Sequence, residues 1–187
     1  MKPTYFPLSL RVLHWLMAVL VLAMLLIGLG MVASVSPRHA ALVAIHKPLG
    51  AALLVLVLLR ILVRLTHRIP ALPSDMPGWQ RSAAHLSHLA LYGLLLAQPL
   101  VGWTMQSAGG YPVLLWGGFE LPALVSPSVQ LHAILRSAHT VNAYALLATI
   151  LLHLAAALFH GLIRRDEVLP SMTGAPMPRT TSSGERP

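Results

Sequence analysis

The sequence has no cysteine. That excludes a disulfide framework, thiolate zinc sites, iron–sulfur ligation and attachment of a prosthetic group through thiols. Charge is scarce as well: 10% of the 187 residues are Asp, Glu, Lys or Arg, where soluble domains carry about 25%. So little charge cannot solvate the surface of a globule of this size, which excludes an ordinary water-soluble enzyme. Acidic residues are the rarest charged class, with five Asp and Glu against 13 Lys and Arg. What is abundant is apolar: 56% of the chain is hydrophobic and the mean hydropathy is +0.72. That excludes disorder. The formal net charge of +8 belongs with a membrane and asymmetric basic loops, not with nucleic acid.

A helix needs about 20 apolar residues to cross the hydrocarbon. Four segments qualify, over about 12–33, 42–65, 83–105 and 138–163. The first is too long for a signal-peptide core and has no small-residue cleavage site, so it reads as a retained span. No period-2 alternation of the kind a membrane barrel needs is present. The fold class is therefore an all-α membrane protein, a four-helix bundle occupying residues 1–170, with 171–187 expected as a disordered cytoplasmic tail. Pro70, Pro73 and Pro77 keep the second loop from continuing as helix. The longest loop, 106–137, has room for a short helix near Ser128–Leu135.

Basic residues set the orientation. Lys2, Arg11, Arg60, Arg64, Arg68, Arg81, Arg164, Arg165, Arg179 and Arg186 fall at the termini and second loop, against Arg38, Lys47 and Arg136 on the other side. Both termini are expected in the cytoplasm of a bacterial cell, with the chain multi-pass in the inner membrane. No carboxylate lies inside a span, which argues against a carboxylate-driven transporter.

Histidine lies inside the spans, where a polar side chain is costly and by default functional. His139 and His153 are fourteen residues apart on the fourth span. At 100° and 1.5 Å per residue they return to within about 40° of one face, about 21 Å apart in depth. His14 matches the depth of His153, and His46 that of His139. Two imidazole pairs result, one above the other. A haem iron takes axial ligands on opposite faces of its ring, and facing helices of a bundle can supply them. Two bis-His b-type haems stacked this way form an electron path across the bilayer. Zinc fits less well, because a tetrahedral site wants its ligands at one depth. His85 and His88 are one turn apart, so at most one faces the inner haem; hydrogen bonding to a propionate, a quinone pocket and packing all stay open. His39, His67 and His132 are expected in loops or at the surface without a role.

The pieces LRVLHWLMA, IHKPLG, LLRILVRL, AHLSHLALYGLLLAQPLVGW, YPVLLWGGFELP and AHTVNAYALLATILLHLAAALFH resemble the bacterial cytochrome b561 family, four-helix di-haem membrane cytochromes. The resemblance runs from about Tyr5 to Pro170. It implies one haem held by His14 and His153 on the cytoplasmic side and another held by His46 and His139 on the periplasmic side. It further implies either of two functions. One is a superoxide oxidase-like enzyme, passing electrons from periplasmic superoxide through the haems to ubiquinone. The other is a cytochrome b anchor and electron-transfer subunit, linking a separate hydrogenase- or dehydrogenase-like redox partner to the quinone pool. The short cytoplasmic loop tilts toward the first.

Superoxide is an anion, so a positive mouth steers it. Lys47 follows His46, and Arg136 is one turn before His139, with Arg38 adding to the patch. Pairing with haem propionates and snorkelling to the interface are the alternative roles. For ubiquinone, His160 lies seven residues beyond His153 and is suited to bond a carbonyl and relay a proton. Trp79, Arg81 and His88 are candidates to line the same pocket. The alternative for His160 is capping the helix end beside Arg164 and Arg165.

Overall fold

Ala- and Leu-rich runs without acidic interruption favour helix, and in hydrocarbon a helix satisfies every backbone amide internally. The structure, a computed structural model, describes residues 5–33 and 37–176. Four helices carry the chain back and forth: α1 (Leu8–Ala33), α2 (Pro37–Thr66), α3 (Gly78–Ala108) and α4 (Val129–Leu158). All four are long and apolar enough to cross a membrane. The last continues as a π-helical turn over Phe159–Arg164, and a short α5 (Val168–Thr173) follows.

Each helix outruns its expected span. A 30-residue helix such as α2 is about 45 Å long, against about 30 Å of hydrocarbon. Hydropathy marks only the immersed part, and the helix continues into the headgroup layer. One expectation changes with this. The 106–137 loop shrinks to 109–128, so His132 lies in α4 and is half-buried, with its Nδ1–H donating to the Met105 carbonyl at 2.9 Å. Pro37 opens α2, and Pro48 falls in its interior, where it cannot bond the Ala44 carbonyl.

The 109–128 connection is pinned at both ends. The Ser107 hydroxyl accepts from the Leu124 amide at 3.1 Å, and the Trp103 indole donates to the Pro122 carbonyl at 3.0 Å. Between them a two-residue ladder pairs β1 (Val113–Leu114) with β2 (Glu120–Leu121). Ser128 caps α4 by accepting from the Leu131 amide.

α1 packs on α2, α2 on α3, and α3 on α4. α1 and α4 lack an extensive direct backbone contact, and so do α2 and α4; those pairs meet through side chains. Leu10, Met17 and Val21 of α1, Val57 of α2 and Leu146 of α4 are buried. Large apolar side chains such as Val19, Leu26, Leu62, Leu89, Val141 and Leu152 point outward, as lipid-facing residues do.

The described N-terminus and C-terminal segment lie at one end of the bundle, called here the inner end. The Phe6 amide donates to the Ser171 carbonyl at 3.0 Å, and the Arg11 guanidinium to the Thr173 carbonyl at 2.8 Å. Gly174 ends α5 with φ of 82°, and a Cβ there would fall on the Arg11 guanidinium. Residues 171–176 of the expected disordered tail are thus docked on α1, because α5 presents its free C-terminal carbonyls to Arg11 and Trp15. Residues 177–187 lie outside the described residues.

Candidate functional site: two histidine pairs across the bundle

His14 on α1 faces His153 on α4 with ring centroids 6.2 Å apart. His46 on α2 faces His139 on α4, also at 6.2 Å. The pairs bridge the two helix combinations that lack an extensive direct backbone contact, one pair near the inner end and one near the outer end. An imidazole nitrogen bonds a first-row metal at about 2 Å and lies about 1 Å from its ring centroid, so two rings on opposite faces of one iron have centroids about 6 Å apart. Both pairs have that separation. The His46 Nδ1 atom is moreover buried with no hydrogen-bond partner, a costly state that a bound group would relieve. Among the described residues no three His, Asp or Glu side chains gather as a metal site. Two facing imidazoles without a third donor would, at each level, suit a metal whose other bonds come from a macrocycle.

The outer pair opens into a cleft lined by Lys47, Gly50, Gly102, Trp103 and Gln106 among others. α3 contributes no imidazole here but grips His139. The Gln98 amide donates to His139 Nε2 at 3.1 Å and to the His139 carbonyl at 3.2 Å. Asn142 donates to Gln98 Oε1 at 2.6 Å and to the Leu94 carbonyl at 3.2 Å. The backbone of Gly102 comes so close that a Cβ would sit 3.0 Å from His139 Cε1. Neither Gln98 nor Asn142 stands out in the sequence.

Of the three outer cations, Lys47 alone lines the cleft, and its ammonium donates to the Pro112 carbonyl at 3.0 Å. Arg38 and Arg136 are exposed. At the inner end His88 joins the pair, its ring 5.5 Å from that of His153, while His85 is exposed. Trp79 and Arg81 are exposed on the first turn of α3, and no described hydrogen bond or ring contact joins them to His160.

His160 lies in the π-helical turn and is buried. Its Nδ1–H donates to Asp166 Oδ2 at 2.5 Å. Arg165, with φ of 53°, turns the chain through the left-handed region, a strained conformation for a residue with a Cβ, and so brings Asp166 back onto His160. Arg164 bridges Asp166 and Asp75, at 3.6 and 2.6 Å. Asp166 escaped the sequence reading because it lies beyond the apolar span. Its spacing from His160 matters only once the helix widens and reverses.

The chain matches the family described as prokaryotic cytochrome b561 over residues 5–175. Cytochrome b561 homolog 2 of Escherichia coli (strain K12) is 32% identical over 164 residues, covering 86% of this chain and 87% of that relative. Cytochrome b561 homolog 1 of the same organism is 32% identical over 136 residues, 72% of this chain and 73% of the relative. A probable superoxide oxidase, CybB, of Yersinia pestis is 29% identical over 128 residues, 68% of this chain and 72% of the relative. With four apolar helices and imidazoles facing each other between them, the chain belongs to the prokaryotic cytochrome b561 family, membrane electron-transfer proteins built on b-type haem.

Proposed function

We propose that this protein is a superoxide:ubiquinone oxidoreductase of the bacterial inner membrane, with both termini in the cytoplasm. In this reaction two superoxide anions and one ubiquinone, with two protons, give two dioxygen molecules and one ubiquinol. The observation that carries the reading is the pair of equal 6.2 Å imidazole separations at two levels of one bundle. His46 and His139 hold an outer haem, and His14 and His153 an inner one. Bis-His haem supplies reversible one-electron transfer with no open position for oxygen to bind. The superoxide oxidase relative supports the donor.

The chain's own residues do the rest. Lys47 places a positive charge in the outer cleft, and the exposed Arg38 and Arg136 extend that field, so an anion is drawn to the outer end. Gln98, Asn142 and Gly102 fix the orientation of His139. At the inner end Asp166 holds the His160 Nδ1–H. A His160 ring protonated on both nitrogens would then present its Nε2–H, which has no hydrogen-bond partner among the described residues, to a ubiquinone carbonyl and deliver that proton to it. Trp79 and Arg81 stand exposed on the first turn of α3, and His88 lies against His153.

Purified protein mixed with a superoxide source tests the reading. Two haems per chain, fast superoxide-dependent reduction and reoxidation by ubiquinone are expected. A colourless preparation, or a single haem per chain, ends it. A slow reaction independent of salt removes superoxide as donor and favours the electron-transfer subunit docking a redox partner protein. Exposed Trp116 and Phe119 on the outer hairpin are the observation that speaks for that second reading.

A further inference from the structure

Arg60 and Arg64 sit one turn apart on α2, and both are partly buried. Arg60 lies six residues inside the inner end of its helix, about 9 Å from that end. It does not reach outward to water, as a snorkelling arginine would. Its guanidinium is drawn inward: Nε–H donates to the Tyr92 hydroxyl of α3 at 3.2 Å, and Nη1 to the Leu10 carbonyl of α1 at 3.0 Å. Arg64 lies over the face of the same Tyr92 ring, 5.8 Å from its centroid.

Among the described residues no carboxylate answers these two charges. The ion pairs among the described residues join His160, Arg164, Asp75 and Asp166, and none includes Arg60 or Arg64. Arg60 has five N–H donors, and its hydrogen bonds among the described residues engage two groups. An arginine inside a span without a counter-ion is expensive, and such a residue pairs with backbone carbonyls, as Arg60 does in part, or marks a place where an anion binds.

Position says which anion. Leu10 precedes His14 by one helical turn, so the Arg60 guanidinium lies about 6 Å toward the inner end from the His14 level. It spans α1 to α3, beside the gap that His14 and His153 bridge. A b-type haem carries two carboxylates on one edge of its ring. Resting on the inner-haem reading above, we infer that Arg60 and Arg64 are the binding site for the propionate carboxylates of the inner haem. The guanidinium fork matches a carboxylate through two parallel hydrogen bonds, and the Tyr92 hydroxyl and ring hold the two arginines in place for it.

The test uses the full-length protein in lipid nanodiscs, with haem or its dimethyl ester, which has no carboxylate, supplied during assembly. Transfer of the inner haem to an apoglobin trap is timed, and each haem is titrated potentiometrically. Arg60→Gln is expected to speed inner-haem loss about tenfold and to lower its reduction equilibrium constant about tenfold, a 59 mV fall for one electron. The outer haem stays unchanged, and Arg60→Lys recovers most of both effects. In the wild type the ester is lost faster to a similar degree, and Arg60→Gln adds little to that loss. If the ester is held as tightly as haem while Arg60→Gln still loses it, the anion is a lipid phosphate and the inference falls. If Tyr92→Phe matches Arg60→Gln on both readouts, the arginine serves helix packing and the inference falls. The haem count separates the two levels of the argument. A His14→Ala protein that keeps both haems overturns the inner-haem reading, whereas two haems insensitive to Arg60→Gln overturn only the propionate site.

Discussion

The outer and inner histidine pairs share one ring separation, 6.2 Å, and differ in nearly everything around it. The outer pair is held by neutral amides: Gln98 and Asn142 fix His139 from α3, and Gly102 closes against its ring. One ammonium, Lys47, stands in its cleft. The inner pair has no such amide network. It has a third imidazole, His88, two arginines on the neighbouring helix, and below them a strained turn that presses Asp166 onto His160. Matched imidazole pairs thus sit among neutral amides at one end and among cationic and acidic groups at the other. On the function proposed above, electron entry would use the first and proton-coupled ubiquinone reduction the second.

The comparison breaks most sharply at the ligands. His139→Ala is expected to remove the outer haem alone and His153→Ala the inner haem alone, read from haem content and visible spectra. Equal loss of both from either variant would dissolve the two-site picture. Next in size, Asp166→Asn leaves both haems in place and slows ubiquinone reduction about 100-fold, the loss typical of a misplaced acid–base group. Superoxide-dependent reduction of the outer haem keeps its rate, and stopped-flow absorbance separates the two steps. Gln98→Leu strips His139 and Asn142 of their shared partner and destabilises the protein by about 1–3 kcal/mol. It also changes the electron paramagnetic resonance of the outer haem while the inner signal stays. The smallest expected effect is at Lys47: Lys47→Gln slows superoxide-dependent reduction severalfold at low ionic strength, and the difference fades near 1 M salt, where the screening length is about 3 Å. Arg38→Gln and Arg136→Gln, farther from the cleft, change that rate less.

Much of this architecture was legible from composition alone, because hydrocarbon is an unforgiving solvent. A run such as 51–59, almost pure Leu, Val and Ala, has no stable choice but helix in a bilayer. The histidine pairing was legible for the same reason. A fixed rise per residue converts sequence position into depth, so His14 and His153 had to meet at one level if they met at all. Helix ends were not legible, since hydropathy reports immersion and not hydrogen bonding. α4 therefore starts at Val129 and not near 138. Asp166 was invisible because no helical periodicity extends through a π turn and a left-handed residue. Gln98 looked like an ordinary polar residue on a span, and Arg60 like one more of the basic residues that set the orientation, until their partners on other helices were known.

The order of amino acids by itself determined that the chain crosses a membrane four times and that imidazoles are available at two depths, because solvent polarity and helical rise act on each segment separately. Only the tertiary structure decided which ring meets which at 6.2 Å, that α3 grips one histidine while α2 offers its arginines beside another, and that the chain doubles back to set Asp166 on His160. Those are contacts between helices, set by how side chains fill the gaps the backbones leave, and no single segment contains them.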